Sequence, residues 1–348
     1  MNQVRRPRLV ASVNGIPIQG LIAAQVVSTN YQGADHFSLS VALSADPRLA
    51  AGYWMSESRL DIQIQAQADV IDPLVTLLRG TVDTVRMDCQ RNTLVAEGRD
   101  ESAVLIDSRG FQTFANQTSS EIAAAIAAKY NLEAAITKTD GIVGRADEDG
   151  HDLTVLGRFS RLMSDWDVLA YLATREGFES FIQAGTLVFR PATAAVSSQY
   201  VLHPRNLSRL VLSRSVTSDQ SQELVVQSWD PYEQMAVSQG AAYMRGEGSG
   251  SARNVLLAPP RAGSQELDAL SRHYLSEMAS NGKVIEFQMP GHCGMMARDQ
   301  VVLTGTNTNF DRIYNIETIR RSFNPGSGFA QWVRAKALVE LTPLSQSA

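Results

Sequence analysis

Val82-Asp83-Thr84-Val85-Arg86 and Ile316-Glu317-Thr318-Ile319-Arg320 stand near opposite ends of the chain and match position by position in charge, branching and size. Each lies about 20 residues downstream of an alternating segment that opens with an acid, and each is followed by a turn and a further strand pattern, a spacing in keeping with β-meanders. The upstream segments are Asp61-Ile62-Gln63-Ile64 and Asp299-Gln300-Val301-Val302. Five β-forming positions can recur by chance. The other reading is a duplicated unit, which gives the chain two similar small antiparallel β-barrels.

The surrounding sequence supports strands on both sides. Leu9, Ala11 and Val13 run into Asn14-Gly15, a pair that tolerates positive φ at both turn centres, and Ile16 and Ile18 follow as the return of a hairpin. Phe37, Leu39, Val41 and Leu43 alternate with small or polar residues, as do Leu60, Ile62 and Ile64, the period of half-buried strands. Strand patterns resume at 207–213, 224–229, 284–289, 300–304, 313–322 and 331–340.

Between these regions the period changes. Thr118-Ser119-Ser120-Glu121 has the form of a capping box ahead of a helix face marked by Ile122, Ile126 and Tyr130. Ser164-Asp165-Trp166-Asp167 opens a second helix that stops at Gly177, where a left-handed cap belongs, and a hairpin turning at Ala184-Gly185 follows. Residues 240–263 are rich in Gly, Ser and Pro and read as a mobile surface loop. A helix capped by Ser264 follows, with Leu267, Leu270, Tyr274, Leu275 and Met278 inward and Asn281-Gly282 as its stop. The fold class expected is α+β, mainly β: a first β-barrel over 1–108, an α/β middle domain over 109–200, a second β-barrel over 201–239 and 284–348, and a loop and helix insertion over 240–283.

Composition sets bounds on function. With 348 residues, 44% hydrophobic and 19% charged, the chain is globular and large enough to bury a core without cross-links. Two cysteines, Cys89 and Cys293, are too few for a disulfide framework and suit assembly in a reducing compartment. A net charge of -5 argues against a protein that wraps nucleic acid. Arg5, Arg6 and Arg8 are followed by no signal-peptide core, and the apolar run at 122–128 is too short to span a bilayer.

Chemistry is sparse. There is no G-x-S-x-G, no G-x-x-x-x-G-K-[ST] and no H-E-x-x-H. His292-Cys293 within Pro290-Gly291-His292-Cys293-Gly294 reads as a turn with an incidental thiol, against a metal or redox site. Asp147-Glu148-Asp149-Gly150-His151-Asp152 reads as a solvated acidic loop, against a calcium loop. Glu176 and Glu179, beside Phe178 and Phe181, are the best pair for lysozyme-like catalysis and read first as cover for a helix end. Gly246-Glu247-Gly248-Ser249-Gly250 resembles a phosphate cradle only in its glycines. The expectation is a protein with no catalytic residues, no metal ligands and no cofactor.

Segment order resembles the phage late-control protein D family, the baseplate hub of contractile tails, which is related to the N-terminal part of type VI secretion spike proteins. The resemblance is carried by Thr118-Ser119-Ser120-Glu121-Ile122-Ala123, by Ser164-Asp165-Trp166-Asp167-Val168-Leu169-Ala170-Tyr171-Leu172-Ala173 with Glu176-Gly177-Phe178, and by Gly185-Thr186-Leu187-Val188-Phe189. Val13-Asn14-Gly15, Asp299-Gln300-Val301-Val302-Leu303-Thr304-Gly305-Thr306 and Tyr314-Asn315-Ile316 add to it. These are scaffold signatures, persuasive in this order.

What the resemblance implies is a homotrimeric hub, two barrels per subunit in a pseudo-six-fold ring, seated between a six-fold tail tube and a three-fold central spike. Such a symmetry adaptor would belong to the tail baseplate of a virion assembled in the bacterial cytoplasm. Its partners would be its own copies, the tail tube protein, a separate spike protein, and a tape measure or other baseplate proteins. The type VI relatives continue into a further barrel and a β-helix, whereas this sequence ends at Leu344-Ser345-Gln346-Ser347-Ala348, so a piercing tip is expected as a separate polypeptide. Alternative readings are a tail-associated peptidoglycan hydrolase and a carbohydrate-binding adhesin. Because the echo keeps an acid and an arginine in both copies, Asp83, Arg86, Glu317 and Arg320 are the candidate subunit-interface residues, the other reading being solvated strand faces.

Overall fold

The computed structural model describes residues 6–30, 33–109, 114–143, 145–146, 154–156, 163–192, 199–230, 234–244, 252–258 and 263–344. The chain is mainly β, of α+β class, with several sheets. It begins with β1 (Arg8–Val13), β2 (Ile16–Pro17), β3 (Leu21–Thr29), β4 (His36–Ala42), helix α1 (Ala51–Ser56), β5 (Asp61–Gln67), β6 (Val75–Asp88), β7 (Thr93–Asp100) and α2 (Ser102–Asp107). The β1–β2 turn forms where expected, with Asn14 at φ 46° and Gly15 at φ 79°, and Val13 faces Ile16 across it. Alternation puts Phe37, Leu39, Val41, Ile62, Ile64, Leu94 and Ala96 into one apolar core around Trp54.

The middle region holds β8 (Phe114–Ala115), α3 (Ser119–Lys129), β9 (Glu133–Ile136), β10 (Arg145–Ala146), β11 (Thr154–Leu156), α4 (Asp165–Glu176), β12 (Phe178–Gln183) and β13 (Thr186–Pro191). Both helix starts are reciprocal capping boxes. Thr118 Oγ1 accepts from the Glu121 amide while Glu121 accepts from the Thr118 amide, and Ser164 and Asp167 repeat the arrangement. Gly177, at φ 67°, closes α4. Ile122, Ile126, Leu169, Leu172, Leu187 and Phe189 fill the core between these helices and the β12–β13–β9 sheet. Thr118→Ala removes one half of the first box and is expected to cost about 1 kcal/mol. Thermal denaturation should show it, with faster amide exchange confined to the first turn of α3.

The last third contains β14 (Gln199–Leu202), β15 (Arg209–Arg214), β16 (Gln222–Asp230), β17 (Met235–Tyr243), β18 (Ala252–Leu257), α5 (Ser264–Ser280), β19 (Lys283–Pro290), β20 (Gln300–Leu303), β21 (Ile313–Asn324), β22 (Gly328–Ala337) and β23 (Thr342–Pro343). The separate unit in this region is larger than a loop and helix. β16, placed by sequence in the second barrel, pairs instead with β17 and β18, and β23 completes a four-stranded sheet covered by α5. The reason is packing: Leu224, Val226, Ala241 and Tyr243 bury their shared face against Leu267 and Leu275 of α5. Gly263, rather than Ser264, is the α5 N-cap, and Tyr274 and Met278 are 40% and 39% exposed rather than inward.

The two halves share one topology. In the first, β3-β4-β7-β6-β5 lie side by side; in the second, β15-β19-β22-β21-β20 do so in the same chain order. The echo falls on equivalent strands and carries the same irregularity. Register shifts between Val82 and Thr84 where β6 meets β7, and between Ile316 and Thr318 where β21 meets β22, so Asp83 and Glu317 are both the extra residue of a β-bulge. The upstream match needs correction by one residue. Asp61 pairs with Thr81 whereas Gln300 pairs with Asn315, which aligns Asp61 with Gln300 rather than with Asp299. This register keeps Ile62, Ile64, Val301 and Leu303 in the cores, and a one-residue slip would turn all four outward.

Two separate barrels were expected, but β3 also pairs with β21, so both units belong to one 13-stranded sheet, and among the described residues no sheet closes on itself. The sixth strands differ as well: β1 is antiparallel to β5, whereas β14 is parallel to β20.

Candidate functional site

The four echo residues lie on the long bent strands at the seam between the units and at its counterpart. In β6, Asp83 accepts from Arg99 Nε and Nη2 at 2.7 and 3.0 Å, and Arg99 reaches on to Asp107 at 2.7 Å. These two carboxylates raise the guanidinium pKa, so Arg99 stays charged. Arg86 Nη2 donates to Glu97 Oε2 at 2.5 Å on the same exposed face. In β21, Glu317 is 1% exposed and is paired with Arg334 Nε at 2.6 Å and with Lys336. The Glu317 carbonyl accepts from the Asn30 amide, and Arg320 faces Val27, so both residues lie on the β3–β21 seam within one chain. Asp83 and Arg86 occupy the equivalent stretch of β6, and no strand covers it among the described residues.

A second polar cluster locks the seam to the middle region; of its members the sequence singled out only Glu179 and Phe181, and for another role. Arg298, at φ 81°, stacks over the Phe181 ring 4.1 Å from its centroid, lies 3.4 Å from Glu179, and donates to the Thr29 carbonyl at 3.3 Å. Arg321, 1% exposed, donates to the carbonyls of His292 and Met295. Burial lowers the pKa of both guanidiniums, that of Arg321 to about 10. Asp35 accepts from the Thr29 amide at 2.9 Å, and Asp100 accepts from Ser102 Oγ at 2.5 Å. Desolvation raises both carboxylic acids, Asp100 to about 7 with the Asp35 charge adding to the effect.

The enzymatic candidates are tied into structure. Glu176 accepts from Ser119 Oγ at 2.6 Å, joining α4 to α3, and Glu179 is held by Arg190 at 2.7 Å as well as by Arg298. His292 Nδ1 accepts from the Met295 amide at 3.1 Å, and Cys293 is buried with its thiol pKa pushed up by desolvation, as suits a structural turn. The acidic loop at 147–152 and the glycine run at 246–250 lie outside the described residues. Among the described residues, no group of three or more His, Cys, Asp or Glu is placed to hold a metal ion, and no helix is long and apolar enough to cross a membrane.

A family model described as the Alg8 N-terminal domain matches residues 75–261, more than half of the chain. The chain belongs to that family. The Alg8 N-terminal domain match starts at β6, crosses the middle region and ends after β18, so it takes in the free edge carrying Asp83 and Arg86. No curated protein matches the sequence. Among solved structures, a tail protein from Neisseria meningitidis is similar over 95% of this chain and 96% of its own, with a TM-score of 0.70 at 13% identity. A 43 kDa tail protein of prophage MuSo2 from Shewanella oneidensis is similar over 94% and 97%, again with a TM-score of 0.70 at 13% identity. An Escherichia coli component of the type VI secretion system is similar over 95% and 77%, with a TM-score of 0.58 at 13% identity. This member of the Alg8 N-terminal domain family therefore has the fold of phage tail and type VI secretion proteins.

Proposed function

We propose that the chain is a structural hub of a phage tail or tail-like particle, of the late-control protein D type, and that it acts by assembly rather than turnover. Three copies present six related strand units, which lets a three-fold central spike seat against a six-fold tail tube through repeated contacts. The observation that carries this reading is the duplicated unit, five strands in the same order with the same bulge at Asp83 and Glu317. Its likeness over nearly full length to two tail proteins supports the same reading.

On this reading the partners are its own copies, the tail tube protein, a central spike, and a tape measure or other baseplate proteins. Each unit supplies one barrel-like segment of the ring, two per chain, and the site of action is the virion tail baseplate, assembled in the host cytoplasm. Native mass spectrometry is expected to give a trimer, and electron microscopy of the particle to show six-fold order above this chain and three-fold order below it. A chain that stays monomeric both alone and in the tail would overturn the assignment.

A further inference from the structure

We infer that the edge of β6 at residues 82–88 pairs antiparallel with the edge of β15 in a second copy of this chain, both edges being uncovered among the described residues, in the register that β21 and β3 use within one chain. The inference rests on the self-assembling hub proposed above and adds which edges meet and which residues face each other.

The register follows from two equivalent rows of residues. Across the first unit, Val82 faces Gly98, Gly98 faces Phe37, and Phe37 faces Val26. Across the second, Ile316 faces Ala335, Ala335 faces Ile285, and Ile285 faces Leu212. Val26 and Leu212 therefore hold the same place in their units. At the seam Arg321 faces Val26, Arg320 faces Val27 and Thr318 faces Thr29. Carrying these pairs over sets Met87 against the second copy's Leu212, Arg86 against its Ser213, and Thr84 against its Ser215.

Burial shows that these edges lack the cover their counterparts have. Ile319 and Arg321 are 0% and 1% exposed beneath β3, whereas the equivalent Val85 and Met87 are only half-buried and Thr84 is exposed. Val26 and Ala24 are 2% and 4% exposed against β21, whereas Leu212 and Leu210, in the same places on β15, are only half-buried. An unpaired strand edge is a template for another strand, and here both missing halves are on the same chain. The contact is head-to-tail, so it repeats the seam from copy to copy and closes into a ring when the rotation allows.

Cysteine cross-linking tests the register. The Asn30–Glu317 backbone bond puts Arg320 and Val27 at a non-hydrogen-bonded position of the seam, where facing α-carbons are close enough for a disulfide. Arg86→Cys with Ser213→Cys, made in a Cys89→Ser background because Cys89 is exposed, is expected to give covalent dimers and trimers on oxidation. Arg86→Cys with Val211→Cys, two residues out of register, is expected to cross-link at least about tenfold more slowly. Equal rates in the two variants, or no cross-link in a chain that native mass spectrometry shows to be a trimer, would overturn the pairing and leave the hub assignment standing. A chain that remains monomeric at every concentration would overturn both.

Discussion

Glu317→Gln is expected to lower the free energy of unfolding by about 3 kcal/mol, several times the loss from Asp83→Asn at the matching position of the other unit. Both acids are bulge residues, and both hold a cation from the neighbouring strand. The difference is desolvation. Glu317 is sealed beneath the β3–β21 seam, and neutralising it takes a buried negative charge away from Lys336, itself largely buried. Arg334 is half-exposed and can turn to water, which holds the cost near the lower end for a broken buried pair. Asp83 lies on an edge that is open in the single chain, where water replaces what the carboxylate gave Arg99, so in the unassembled chain its loss should stay below about 1 kcal/mol. Urea denaturation of the two variants at concentrations where native mass spectrometry shows single chains measures the contrast. Equal losses would mean that the seam does not desolvate its acid.

The second large effect is a stability that falls as pH rises from about 4 to about 7. Asp100 is raised from its usual 3.8 to about 7, so between those values the folded chain holds a proton that the unfolded chain has released. Stability from that proton is complete below the unfolded value and is lost as pH climbs through the folded one. Asp35, raised in the same direction by burial, adds to the slope. The full linkage is about 4 kcal/mol, and the partial solvent contact of Asp100 reduces it to about 2–3 kcal/mol. Asp100→Asn keeps a side-chain oxygen for the Ser102 amide and hydroxyl and removes the charge. The variant should show a flattened pH profile in chemical denaturation and exceed the parent chain in stability at pH 8. A variant whose profile retains the parent slope would assign the proton to another group.

These two effects also mark how far the sequence could be read. Hairpins, capping boxes and the two-residue alternation were legible because each depends on neighbours a few positions away. Thr118 with Glu121 and Ser164 with Asp167 adopt the local geometry that their side chains favour, and Asn14, Gly15 and Gly177 take the positive φ that asparagine tolerates and glycine permits. The echo was legible for the same reason, since a bulge flanked by β-branched residues leaves a local trace. The membership of β16 was not, because a strand pattern states which face is apolar and not which sheet will cover it. Nor was the gathering of Asp35, Asp100, Arg298 and Arg321 around Glu179, the one member the sequence had named. Its members come from distant parts of the chain, and their charges acquire meaning only once burial removes water from around them.

The sequence by itself determined many of the strands and the three longer helices, the echo on β6 and β21, and the scarcity of familiar catalytic motifs, but it missed β3 and read as a loop the stretch that holds the end of β17 and all of β18. Tertiary structure alone decided that the two units share a seam through β3 and β21, that Glu317 is buried there while Asp83 is not, and that the edges of β6 and β15 have no strand against them among the described residues. The physical reason is that strand pairing uses backbone groups common to every residue. Local side-chain pattern can therefore place a strand, while its neighbours are selected by which surfaces the rest of the fold has left uncovered.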